Sequence, residues 1–318
     1  MKIDPVEGNA VYHCIARVVG GEFLLGSSER EHLRSMLAKQ IGFAGLELLS
    51  FAILSNHFHV LVRVPKTEEV VDGDIVKRVA MLYSKRSPFR TFLNESMESN
   101  GKIPSHLREA LLKRMGDISM FMKELKQRFS IWYNRIHERR GTLWMERFRS
   151  VLVQDEPSVL RTVSSYIDLN PVRAGIVEDP KDYRWCNYSE AVVGTAEPRR
   201  VIISYHHGKG WVNVQKEYRM YLYVRAGNSG ASSKVALPHD VIGKVLKQGG
   251  ALSGADQLRL KVRAFGAGVA LGSRAYVEEV FSLFRDQFGL RRVTGARKVK
   301  DVPGELCALR DLNRPLTR

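Results

Sequence analysis

Two short stretches of the 318-residue sequence carry side chains suited to phosphate chemistry. The first is Asn56-His57-Phe58-His59. In a strand, residues i and i+2 share a face, so both imidazoles emerge together while Phe58 points the other way. Two neutral imidazoles on one stiff element can hold a divalent cation. The plain alternative is a pair of satisfied polar residues at a strand start. It loses ground because Phe51, Ile53 and Leu54 precede the pair and Val60, Leu61 and Val62 follow it. In such a half-buried strand unpaired imidazoles carry a desolvation cost. Leu61 and Val62 stand where the Asp and His of the binuclear-hydrolase pattern HxHxDH would fall, which removes that reading. Two histidines do not complete a metal site, so another donor must come from elsewhere.

The second stretch is Ser165–Gly175, SYIDLNPVRAG. On a helix Tyr166 and Asn170 are i and i+4, one turn apart on one face. A tyrosine there can offer its phenolate as a nucleophile, with Asn170 giving a neutral oxygen to the same cation. Attack on a phosphate yields a phosphotyrosine ester, which stores the energy of the broken bond. On spacing alone, a buried tyrosine before a helix-ending Asn-Pro is the plainer reading. Tyr133, with His137 one turn on, is a rival nucleophile, but Phe129, Ile131, Trp132 and Ile136 around it read as core packing. His13 could approach the metal from the first strand, but nothing in the sequence fixes its geometry and it reads as structural.

The elements that must position these residues follow from pattern. A strand is expected over 10–19 and a helix over 29–41, with Leu33, Met36, Leu37 and Ile41 at helical spacing. Two adjacent strands are expected within 46–65, and a helix over 73–84. Pro88, Asn94, Ser96, Asn100, Gly101 and Pro104 mark 86–105 as a surface insertion. Helices are expected over 105–115 and 117–138, a strand near 147–154, and a helix from Pro157 to Asn170-Pro171. This order predicts an α+β domain, with helices packed on a mostly antiparallel sheet. The domain is expected over 8–192 with an insertion near 86–116. A linker-like region (193–236) and a basic, mainly helical C-terminal region (237–318) are expected to follow. No internal repeat of fixed period is present.

Composition bounds the function class. No run of about 18 apolar residues occurs, so no membrane span is expected. The polar start MKIDPVEGNA lacks a secretory stretch, and a cytoplasmic protein is expected. Cys14, Cys186 and Cys307 lie far apart, which argues against a disulfide scaffold or a thiolate zinc site. The formal charge of +16 implies a polyanionic partner. Residues 1–100 are net neutral, 101–150 carry +7, 151–200 carry −2 and the remainder +11. Within the +7 block, Arg135, Arg139, Arg140, Arg147 and Arg149 flank Trp144 and Phe148, pairing phosphate-binding cations with faces on which bases can stack. The competing view is that Trp144 and Phe148 anchor a hairpin to the core.

YHCIAR (12–17), SNHFHVLV (55–62), RGTLWMERFRS (140–150) and SYIDLNPVRAG (165–175), in this order, resemble the single-tyrosine HUH transposases, most closely the REP-associated tyrosine transposases. The resemblance covers about residues 8–192. It implies a ferredoxin-like domain that cuts and rejoins single-stranded DNA, often with a hairpin beside the cut. It further implies His57 and His59 as metal ligands, Asn170 as the polar ligand one turn after the nucleophile Tyr166, and Mg²⁺ or Mn²⁺ as the cation. Arg173, inside the last motif, joins the arginines above as a DNA-binding candidate. The expected products are a 5′-phosphotyrosine and a free 3′-OH. Monomer and homodimer both stay open. Two other functions compete: a non-catalytic DNA-binding protein retaining the fold, and a phosphohydrolase that uses water.

Overall fold

β1 (Ala10–Arg17) shows how the sheet is organised, because its alternation divides two hydrophobic clusters. Val11 belongs to one cluster, while Tyr12, Cys14 and Ala16 belong to the other. The structure, a computed structural model, describes residues 9–66, 69–206, 210–227, 264–299, 302 and 305–311. After β1 come α1 (Ser27–Ala44), β2 (Glu47–Ile53), β3 (His57–Val64), α2 (Asp72–Leu82), α3 (Pro88–Asn100), α4 (Ser105–Leu112) and α5 (Ile118–Ile136). β4 (Arg149–Val153), α6 (Pro157–Asp168), α7 (Asn170–Arg173), α8 (Asn187–Val193), α9 (Ala196–Ser204) and α10 (Trp211–Gly227) follow. The C-terminal part adds α11 (Ala264–Ala267), β5 (Ala270–Gly272), α12 (Arg274–Leu283), β6 (Arg297–Lys298) and β7 (Cys307–Leu309).

The strands lie in the order β2-β3-β1-β4-β5-β7-β6. The first four, read with α1 and α5, form a βαββαβ unit of order β4-β1-β3-β2, the ferredoxin-like arrangement. Every pair is antiparallel except β4 with β5. The α+β expectation therefore holds.

Helices α1 and α5 cover one face, burying Leu33, Leu37, Phe121, Leu125 and Phe129 against Tyr12, Phe58 and Val60. Asp117 starts α5 by accepting from the backbone N–H groups of Ser119 and Met120, at 2.7 and 2.9 Å. On the other face α6 buries Val159, Leu160, Val163 and Ile167 against Leu49, Leu61, Val151 and Val153. Its first turn is set by Pro157 and by Glu156, whose carboxylate accepts from the Val159 N–H at 3.2 Å.

Three expectations change. Within the expected surface insertion, to which the sequence assigns no element, 88–100 is a helix: Pro88 occupies the first turn, Gly101 ends it at φ 66°, and Phe89, Leu93 and Met97 form an i, i+4, i+8 stripe. That stripe packs with Phe43, Ile75, Val79 and Leu111 into a small third cluster. The linker-like region contains α9 and α10, and Val201, Ile202, Tyr205, Val214, Tyr218 and Leu222 of this region are buried with α6. The C-terminal region supplies three strands to the main sheet as well as helix α12. Residues 228–263, with most of the Gly- and Ser-rich stretch, lie outside the described residues. Among the described residues no helix is long and apolar enough to cross a membrane, and all three cysteines are free and buried.

Candidate active site

Strand register brings the histidines together. Across the β1–β3 ladder Arg17 pairs with His57, Ile15 with His59 and His13 with Leu61. His13 is thus the diagonal neighbour of His59 on the same face, within reach of a long side chain. Its Nε2 lies 2.9 Å from His59 Nδ1, and the two rings stack at 5.1 Å and 20°. The other His13 nitrogen, Nδ1, meets the Phe265 carbonyl at 2.8 Å. His57 Nδ1 lies 2.6 Å from Asn56 Oδ1, and the His57 and His59 ring centroids are 5.1 Å apart. Phe58 takes the opposite face, edge-on to Trp144.

All three imidazoles are neutral near pH 7. Burial pulls His13 and His57 down to about 4, with Arg173 adding repulsion to both and Arg17 to His57. Burial first, then the neighbouring histidines and both arginines, holds His59 well below the ordinary value. His59 is 3% exposed and His13 fully buried, whereas His57 and Tyr166 are half-buried. Solvent access to the site is therefore at His57 and Tyr166.

Helix α6 brings Tyr166 to this face. Its ring centroid is 6.1 Å from that of His59 and 6.0 Å from that of His13, both edge-on. Phe265 stacks on the ring at 4.5 Å and 18°, and the Arg173 guanidinium carbon lies 3.8 Å from its centroid. Both cannot occupy one face at those distances, so the phenol is held between a cation and an aromatic ring. Arg173 Nη2 also donates to the Tyr166 carbonyl at 2.7 Å, and Asn170 Nδ2 donates to the same oxygen at 3.2 Å. An Nδ2 so engaged leaves Oδ1 as the lone-pair end of the Asn170 amide.

Among the described residues no group of three or more His, Cys, Asp or Glu is arranged to hold a metal ion. The donors on offer here are the neutral imidazoles of His57 and His59 and, one turn after Tyr166, the Asn170 amide oxygen. That mixed N/O donor set suits a divalent ion that keeps water or substrate oxygens in its shell.

Tyr133 lies elsewhere, buried in α5 and stacked on His137 at 4.2 Å, with burial raising its phenol above the ordinary range. Trp144 corrects an expectation. It is 7% exposed and donates Nε1–H to the Lys126 carbonyl, so its ring is core and presents no face for a base. Phe148 also packs against this cluster. Arg135, Arg140 and Arg147 are exposed, and their side chains make no hydrogen bond or ion pair among the described residues. Arg139 donates to the Thr142 carbonyl, and Arg149 pairs with Glu146 at 2.9 Å. Residues 143–145 are stitched to 17–19 through Val19 N–H to Leu143 O and Met145 N–H to Arg17 O. Since Arg17 pairs with His57, the basic segment borders the His57 end of the sheet.

Sequence reasoning did not place Phe265, Asn56 or His13 in the site. Phe265 is distant in sequence, Asn56 entered only as the residue before the histidine pair, and the geometry of His13 is fixed only by the β1–β3 register.

No protein-family model matches the chain, and no curated protein matches it in sequence. Among solved structures it is similar to a REP-associated tyrosine transposase bound to a REP hairpin, with a TM-score of 0.38 and 14% identity. That match covers 58% of this chain and 80% of the other.

Proposed function

We propose that the protein is a metal-assisted DNA strand transferase of the transposase type, with Tyr166 as nucleophile and single-stranded, hairpin-bearing DNA as substrate. The observation that carries this reading is the seating of the Tyr166 ring against the His13–His59 pair, between Arg173 and Phe265. Tyr133 has no comparable setting.

The arginines at the His57 end of the sheet hold the strand by its phosphates. Arg173 fixes the backbone and ring of Tyr166, which limits the conformers its hydroxyl can sample and aids alignment for in-line attack. Oη attacks phosphorus, the bond from phosphorus to the 3′ oxygen breaks, and the departing oxygen takes up a proton as 3′-OH. The phenol proton leaves to water. The product is a 5′-phosphotyrosine, which a second 3′-OH reverses to rejoin DNA, so no nucleotide energy source is required. His57, His59 and Asn170 would hold the divalent cation, which when bound neutralises and polarises the phosphate. Arg17 and Arg173, whose charges act on the histidines, add fixed positive charge there.

The test is incubation with Mn²⁺ and hairpin-bearing single strands drawn from DNA flanking the gene. A denaturant-resistant protein–DNA adduct supports the reading. Salt-sensitive binding with no adduct and no response to chelator would instead make the protein a non-catalytic DNA binder.

A further inference from the structure

A neutral imidazole has one N–H donor and one bare acceptor, and the partner of one nitrogen decides the state of the other. A backbone carbonyl can only accept. His13 Nδ1 faces the Phe265 carbonyl at 2.8 Å, so it carries the proton and Nε2 is bare. That bare Nε2 is 2.9 Å from His59 Nδ1, which must then be the donor, leaving His59 Nε2 without a proton. A second chain runs the same way. Asn56 Nδ2 donates to the Gly21 carbonyl at 3.1 Å, which turns Oδ1 toward His57. His57 Nδ1 lies 2.6 Å from that oxygen and is therefore protonated, leaving its Nε2 bare as well.

We infer that two backbone carbonyls, those of Gly21 and Phe265, act through Asn56 and His13 to lock His57 and His59 in the Nδ1–H tautomer, with both Nε2 lone pairs free. Asn56 and His13 are positioning residues: they act through the two histidines. The consequence for metal binding rests on the proposed function, whereas the tautomers do not. The inference also gives the C-terminal part a role. Phe265 lies far beyond residue 192, yet its carbonyl begins the chain that ends at His59 and its ring stacks on Tyr166.

Outer partners of metal-binding histidines typically contribute about 10–100-fold in metal affinity. His13→Leu and Asn56→Leu are therefore expected to weaken Mn²⁺ binding by about that factor. His13→Gln offers an amide oxygen and an amide N–H in place of the two ring nitrogens, and is expected to recover most of the loss.

The deciding experiment is a long-range proton–nitrogen NMR spectrum of the ¹⁵N-labelled, metal-free full chain near pH 7.5. His13, His57 and His59 are all expected as Nδ1–H. His13→Leu should shift His59 toward the Nε2–H form and leave His57 unchanged, Asn56→Leu should do the converse, and His13→Gln should preserve the wild-type pattern. Protonated Nε2 on His59 or His57 in the wild type overturns the inference, as does a His59 tautomer indifferent to His13→Leu. If His13→Leu fails to fold, the wild-type and Asn56→Leu spectra still decide. Nδ1–H tautomers without Mn²⁺ binding keep the inference and sink the cation reading. Mn²⁺-dependent adduct formation with an Nε2–H His59 does the reverse.

Discussion

The Arg173 guanidinium carbon lies 3.8 Å from the Tyr166 ring centroid, while one of its N–H groups donates to the Tyr166 carbonyl at 2.7 Å. One side chain thus grips both the backbone and the ring of the proposed nucleophile. Lysine keeps the charge but loses the planar fork needed for both contacts. Arg173→Lys is expected to slow adduct formation at saturating strand by about 100-fold, the scale of a misplaced reacting group. Affinity for the strand should fall far less, measured in parallel by anisotropy. Equal loss in affinity with no loss of rate would make Arg173 a strand contact only.

Arg135, Arg140 and Arg147 are exposed, and residues 143–145, between the last two, join the strand end that pairs with His57. If each meets a phosphate, the triple alanine variant reduces the slope of log affinity against log salt by about 2, near 0.7 per contact on a single strand. An unchanged slope in a salt titration would remove them from the binding face.

The ferredoxin-like core was legible because its strands are short apolar runs and its helices carry clean stripes. So were the shared face of His57 and His59, which needs only period two, and the turn joining Tyr166 to Asn170. The helix α3 was not, since Pro88, Ser96 and Asn100 imitate a loop until Phe89, Leu93 and Met97 find a cluster to fill. Trp144 showed the opposite difficulty, because arginines around an aromatic look alike whether the ring is bare or buried. Phe265 was invisible to local reading: no pattern announces that a residue about a hundred positions after Tyr166 will stack on it.

Lys126 is 8% exposed, donates Nζ–H to the Glu146 carbonyl at 2.6 Å, and burial lowers it to about 8. Its folded value lies below the unfolded one, so the unfolded chain binds more protons between about pH 8 and 10.5, and this group's contribution to stability rises with pH there. Buried cysteines and tyrosines, raised by burial, act in the opposite sense at alkaline pH. The difference in unfolding free energy between wild type and Lys126→Met isolates the lysine. It should grow in favour of the wild type from pH 8 to 9.5, by at most about 1.4 kcal/mol per pH unit. A flat difference would contradict the burial of a charged Lys126.

Ile167 is fully buried beside Tyr166 and helps seat α6 on the sheet. Ile167→Ala is expected to cost about 2–5 kcal/mol by denaturant unfolding. Tyr166 is half-buried and Tyr166→Phe keeps the packed ring, so the substitution should change stability by less than about 0.5 kcal/mol. A large loss in Tyr166→Phe would assign the hydroxyl a structural role.

Mass spectrometry of denatured products tests most directly whether Tyr166 forms the bond to DNA. Full-length wild type, Tyr166→Phe and Tyr133→Phe are incubated with Mn²⁺ and the hairpin-bearing strand, and the denatured products are weighed by mass spectrometry. The predicted result is a DNA-linked peptide containing residue 166 in wild type and Tyr133→Phe, and none in Tyr166→Phe. An adduct that persists in Tyr166→Phe and disappears in Tyr133→Phe would contradict the account.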